Sequence, residues 1–234
     1  SVQFSSIQFS WFRGPGTDPG FLEELESAGL ENPGPFRKMS NAMEILHHYA
    51  SKKGITLKSV GNDTKGKLGL RRAEATIIDS NVAGAKGPGV SMAENSTLDG
   101  FTVTGVGQYD DALWKKHHAT LGEEQPHEHI GAPGTAGIAV LGITRCTVAH
   151  NIVHHIGYTG IAITGEKGRR VSPHIYRNVT YRNMGSGIGS MKNSTAIIEK
   201  NICFENYYAG IGHNEDRKST RLNSSHALIS YAVF

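Results

Sequence analysis

Three groups of residues in this 234-residue chain have the types and spacing to do chemistry. The first lies in Gln125-Pro126-His127-Glu128-His129. An extended backbone there puts His127 and His129 on one side, as two metal ligands or as a general base with a partner. No third ligand follows from the sequence, so a solvated polar loop is the plainer expectation and no metal is assigned. The second group is His150, Arg177 and Lys200, each immediately before an asparagine of a repeat. Stacked, they would form a basic strip suited to a repeating anionic polymer, with ordinary solvated surface charge as the competing reading. The third, four places after the same asparagines, is the mixed-charge set His155, Arg182 and Glu205.

Carboxylates are sparse. Asp99, Glu166, Glu199 and Glu205 do not align as the pair that glycoside hydrolysis needs. Removing the proton α to a uronate carboxylate needs instead a base and a cation that neutralises the acid. If the chain is an enzyme, the lyase class is therefore expected; a divalent cation such as calcium would be its cofactor, and the catalytic residues stay unassigned.

The element that must position these groups is a repeat. Asn151, Asn178 and Asn201 each precede a Gly-Ile pair by nine residues, at Gly160, Gly187 and Gly210, and Gly137-Ile138 supplies a further half-match. The Gly-Ile spacings of 23, 27 and 23 residues suit a solenoid coil of three short strands and three bends, about 23 residues per coil. Ile138, Ile161, Ile188 and Ile211 should stack in one buried column. The asparagines are expected to form sharp, left-handed bends and to hydrogen-bond from coil to coil, with Asn183 and Asn206 in a similar role. Ala139, Ala162, Gly189 and Gly212 should leave a flat outer face, covered by the insertion between Gly105 and Thr135 or by a ligand.

Gly54-Ile-Thr-Leu-Lys, Ala75-Thr-Ile-Ile-Asp and Leu98-Asp-Gly-Phe-Thr-Val read as less regular coils. With the Asn…Gly-Ile coils they resemble the right-handed parallel β-helix (pectin-lyase-like) superfamily, over roughly residues 54–215. The resemblance implies an all-β solenoid of about five coils and a secreted or periplasmic protein that binds or processes polysaccharide. A lyase of acidic polysaccharide is one form of that expectation, and a non-catalytic surface or scaffold protein is the alternative. Gln125-Pro126-His127 also resembles the Asp-Pro-His motif of β-helical mannuronan epimerases. Gln125 replaces the motif's carboxylate, so that activity is not carried over.

The 29 glycines, about 12% against a usual ~7%, fit a fold rich in turns and show no collagen period. A net charge of +3 without a basic tract argues against nucleic acid, and no run reaches a membrane span. Cys146 and Cys203 are too few for a disulfide framework and are expected as buried thiols. A monomer is expected. In residues 1–53, Phe21–Ser27 and Lys38–Lys52 have helical character that would cap the first coil. Residues 216–234 resemble a translated sequencing adapter, so the repeat is expected to stop near 215, with the protein truncated at its C-terminus.

Overall fold

A computed structural model describes residues 54, 56–64, 66–81, 87–119, 136–166, 168–214 and 221–223. The strands are short because only the middle residue of an out-in-out triplet needs to reach the interior. Thr97-Leu98-Asp99 and His174-Ile175-Tyr176 show the pattern, with Leu98 and Ile175 buried between more exposed neighbours. Each triplet hydrogen-bonds to the equivalent triplet of the next coil, and all the strand pairings are parallel.

Three sheets result. Sheet A contains β1 (Thr56–Lys58), β4 (Thr97–Asp99), β7 (Thr147–Ala149), β10 (His174–Tyr176), β13 (Ile197–Glu199) and β16 (Arg221–Asn223). Sheet B contains β2 (Ile77–Asp79), β5 (Thr102–Thr104), β8 (Ile152–His154), β11 (Val179–Tyr181) and β14 (Ile202–Phe204). Sheet C contains β3 (Val90–Ser91), β6 (Ile138–Leu141), β9 (Ile161–Thr164), β12 (Ile188–Met191) and β15 (Ile211–Asn214). Strands β1 to β15 make five coils, each contributing one strand to each sheet.

The core is the space between the sheets. Ile138, Ile161, Ile188 and Ile211 are in register; the first three are fully buried and Ile211 packs partly buried on the same cluster. Leu57, Leu98, Val148, Ile175 and Ile198 form the matching column of sheet A. Cys146 and Cys203 are buried free thiols, and burial pushes them up to about 12 and about 11.

The asparagines work as a ladder, not as bends. Asn151 N–H and Nδ2 both donate to Asn178 Oδ1 at 3.0 and 3.1 Å, and Asn178 repeats the pattern on Asn201 at 2.8 and 3.0 Å. Asn183 Nδ2 donates to Asn206 Oδ1 at 2.9 Å in a second, shorter ladder. The left-handed residues are instead their neighbours: His150, Arg177 and Lys200 (φ 54°, 52°, 55°), then His155, Arg182 and Glu205 (φ 53°, 49°, 51°). An asparagine inside the corner can reach the coils on either side, whereas the residue before it absorbs the change of direction.

Two elements clothe the coils. Helix α1 (Arg71–Ala75) lies in the long A-to-B connection of the first coil. Arg72, 6% exposed, ties it down through Asp63 at 3.0 Å and Asp99 at 2.7 Å. Burial works against that charge, but Asp99 and then Asp63 outweigh it and raise the Arg72 pKa. Helix α2 (Asp111–Ala119) opens the insertion that leaves the solenoid after β5. Trp114 docks it on the corner between sheets B and C: its indole N–H donates to the Glu205 carbonyl at 3.0 Å, and its ring packs with Met184 and Tyr207.

Two expectations need correcting. The small-residue face of sheet C is not bare, because the corner following sheet B folds back over it. Ala139 and Ala162 are buried with Ala136 and Tyr158, and a Cβ on Gly189 would lie 3.1 Å from Thr159 Cγ2. The coil also does not stop at 215. Arg221, Leu222 and Asn223 pair with Ile197, Ile198 and Glu199, although the next ladder position in that register is Ser225 rather than asparagine. The expected capping helices of residues 1–53 lie outside the described residues.

Candidate functional site

The basic strip exists, and an aromatic ring organises it. His150, Arg177 and Lys200 occupy the left-handed corner between sheets A and B on three successive coils, so their side chains leave the solenoid in the same direction. Tyr176, an outward residue of β10, lies among them. The Arg177 guanidinium sits 5.2 Å and the Lys200 ammonium 5.4 Å from its ring centroid, while the His150 ring meets it edge-on at 5.6 Å.

The three side chains are not equivalent. His150 Nδ1 lies 3.1 Å from Asp99 Oδ1, a carboxylate shared with Arg72 and Lys58. Arg177 and Lys200 are exposed, and no carboxylate among the described residues is within ion-pair distance of either. Glu199, opposite Tyr176 on the neighbouring strand, is engaged by His174 Nε2 at 2.9 Å. Beside Tyr176 the surface is low, because Ala149 occupies the same outward position one coil earlier. The result is an aromatic platform flanked by two uncompensated cations, which can hold an anionic group against a flat apolar surface. Tyr176 was not singled out from sequence; its place two residues before Asn178, next to Arg177, was the available signal.

The mixed-charge column forms a second group at the corner between sheets B and C. Arg182 Nε donates to Glu205 Oε2 at 2.9 Å, and its guanidinium lies 5.0 Å from the Trp114 ring. His155 meets the neighbouring His154, with the two Nδ1 atoms 2.6 Å apart and the rings edge-to-face. His154 stacks on Tyr181 at 4.8 Å, and Tyr181 on Phe204 at 5.0 Å, along the outside of sheet B. Burial, then the neighbouring His155, pushes His154 down to about 4. Burial also lowers His155, with Arg182 adding to the effect and Asp111 opposing it.

An open cleft lies between this corner and the start of the insertion, lined by Asp79, Thr104, Gln108, Tyr109, Asp111 and His155 among others. Tyr109 rests edge-on against His155 at 4.6 Å and donates its hydroxyl to Asp111 Oδ1 at 3.2 Å. Burial and the Asp111 carboxylate raise the Tyr109 pKa, so the phenol keeps its proton. The cleft therefore sets an imidazole edge-on to a phenol that keeps its proton. His154 is the residue here that the sequence reading passed over, because alternation alone made it one more outward strand residue.

His127 and His129 lie outside the described residues. Among the described residues, no group of three or more His, Cys, Asp or Glu side chains could hold a metal ion, and no helix is long and apolar enough to cross a membrane.

Comparison with known proteins addresses the fold. No curated protein and no solved structure matches the chain. Residues 128–232 match the family model described as a right handed beta helix region. That span takes in the coils whose isoleucine columns and asparagine ladders are described above, and the described coils form a right-handed parallel β-helix.

Proposed function

We propose that the chain binds an acidic polysaccharide along the corner between sheets A and B. The observation that carries the reading is the pair of uncompensated cations, Arg177 and Lys200, set on successive coils over the ring of Tyr176. Coils repeat at about 4.8 Å, so the two cations stand a short interval apart, opposite in sign to the charges that a polymer of acidic sugars carries along its length. The aromatic ring adds an apolar surface for the C–H face of a sugar ring. Recognition of a polymer outside the cell fits this reading, and a secreted or periplasmic location is part of the proposal.

A second reading, cleavage of the polymer, is favoured by His155 and Tyr109 at the cleft. A neutral imidazole can take the proton α to a uronate carboxylate while a phenol protonates the leaving oxygen, which is a lyase reaction.

The experiment is a screen of the chain against polyuronates, sulfated polysaccharides and neutral glucans. Retardation in polymer-containing native gels, absorbance of unsaturated uronates and release of reducing ends are read in parallel. Retardation by polyuronate alone is the expected result. New absorbance would add the lyase reading. No retardation by any anionic polymer would leave the scaffold alternative and overturn the proposal.

A further inference from the structure

The contact between His154 and His155 has no part in the binding strip, and its geometry requires one proton between the two facing nitrogens. Two Nδ1 atoms 2.6 Å apart make a hydrogen bond when one carries a proton and the other a lone pair. The Thr104 hydroxyl stands 3.3 Å from the same His154 Nδ1. One proton lies between the two Nδ1 atoms, on either ring, and the Thr104 hydroxyl is the further polar neighbour of His154 Nδ1. A first extra proton can be accommodated on an Nε2 with the Nδ1 contact kept, but when both rings are imidazolium two N–H groups face each other at a distance where neither can accept.

One ring must then move, and the packing decides which. His154 is clamped in the stacked column by Tyr181. His155 is held by the corner and by the insertion, with Tyr109 against its ring. The groups facing the pair are Thr104, Tyr181 and Arg182 on the coils, Tyr109 and Asp111 on the insertion, and Asp79 and Asp110 across the cleft. Arg182 repels an added proton, and its own counter-charge Glu205 is already engaged. Asp111 attracts one, from the cleft side. Both forces move a charged His155 away from the solenoid and towards the cleft, which unseats Tyr109. The same extra charge crowds Arg182, on which Trp114 rests.

We propose that the His154–His155 contact is a proton-operated latch: acidification breaks it and releases the start of the insertion, residues 107–114, while the coils stay folded. The cleft beside Tyr109 opens as a consequence. In neutral solution the latch is closed.

Hydrogen exchange of the whole chain, read by mass spectrometry at about pH 7.5 and about pH 5 and corrected for the intrinsic rate, tests this. Opening grows by up to about tenfold per pH unit for each proton taken up. Protection of residues 107–114 is therefore expected to fall by about tenfold or more at the lower pH, with strands 152–154 and 179–181 unchanged. In His155→Gln and His154→Gln, each checked for folding by circular dichroism, the pH dependence should vanish. Equal protection at both pH values in the unmodified chain overturns the proposal without any variant. So does a loss of protection that both variants retain, or a loss shared equally by the strands.

Discussion

At the scale of single residues, the corner of each coil divides two tasks between adjacent positions. Asn178 satisfies buried backbone and side-chain groups on both sides: it accepts from Asn151 and donates to Val148 O at 2.8 Å and to Asn201 Oδ1 at 3.0 Å. Arg177 takes the left-handed conformation and points outward. Asn178→Ala would leave the Asn151 backbone N–H without its partner in the interior and break the ladder to Asn201. It should cost about 2–4 kcal/mol in urea unfolding, whereas Arg177→Asn, which suits the left-handed backbone, should cost less than about 0.5 kcal/mol. The histidine pair carries a pH dependence of known sign. A folded-state His154 pKa near 4, below its unfolded 6.5, means that the unfolded chain binds the proton first. Its contribution is therefore fully present above about pH 6.5 and is lost as the pH falls towards 4. The loss should reach up to about 3 kcal/mol, and His154→Gln should abolish it. Little of this was legible beforehand. Asparagine is a plausible bend residue, so the ladder and the bend were read as one role, and contact between the rings of two consecutive histidines is set by side-chain rotamers that periodicity does not report.

At the scale of elements, the strands were readable and the coverings were not. Three-residue strands with one inward residue leave a clear mark at 23- to 27-residue spacing, and the columns of isoleucine follow from it. Helix α1 is five residues long with no side-chain cap, and what holds it is the pairing of Arg72 with Asp63 and Asp99, partners 9 and 27 residues away. No local pattern encodes such a contact. Arg72→Ala would leave Asp99 without its closest cation and free the helix. A loss of about 3–5 kcal/mol is expected, with early hydrogen exchange in residues 66–75. Gly100 is the partner of this clamp in backbone terms. It has φ +89°, and a Cβ there would collide with Ser59 Oγ and the Arg72 guanidinium, so Gly100→Ala should disturb the same segment.

At the scale of the molecule, the solenoid turns a repeat in sequence into a line of side chains in space. His150, Arg177 and Lys200 are 27 and 23 residues apart along the chain, yet they meet around one tyrosine. The strip itself was therefore visible once the repeat was aligned. What alignment could not distinguish was which of these side chains already had a carboxylate partner, because Asp99 belongs to a different coil from His150 and reaches it only in the folded state. Binding should reside in Arg177 and Lys200 rather than in the protein's net charge. It should also weaken steeply between low and physiological salt, where screening shortens to about 8 Å.

The most direct test is titration calorimetry of a defined polyuronate oligomer into the chain, into Arg177→Ala/Lys200→Ala, and into Arg169→Ala. Arg169 is an exposed arginine already paired with Glu94 and Glu166, so its removal changes the net charge but not the strip. Binding weakened about tenfold or more in the double variant and nearly unchanged in Arg169→Ala is the predicted result. Equal affinity in all three proteins would contradict the account.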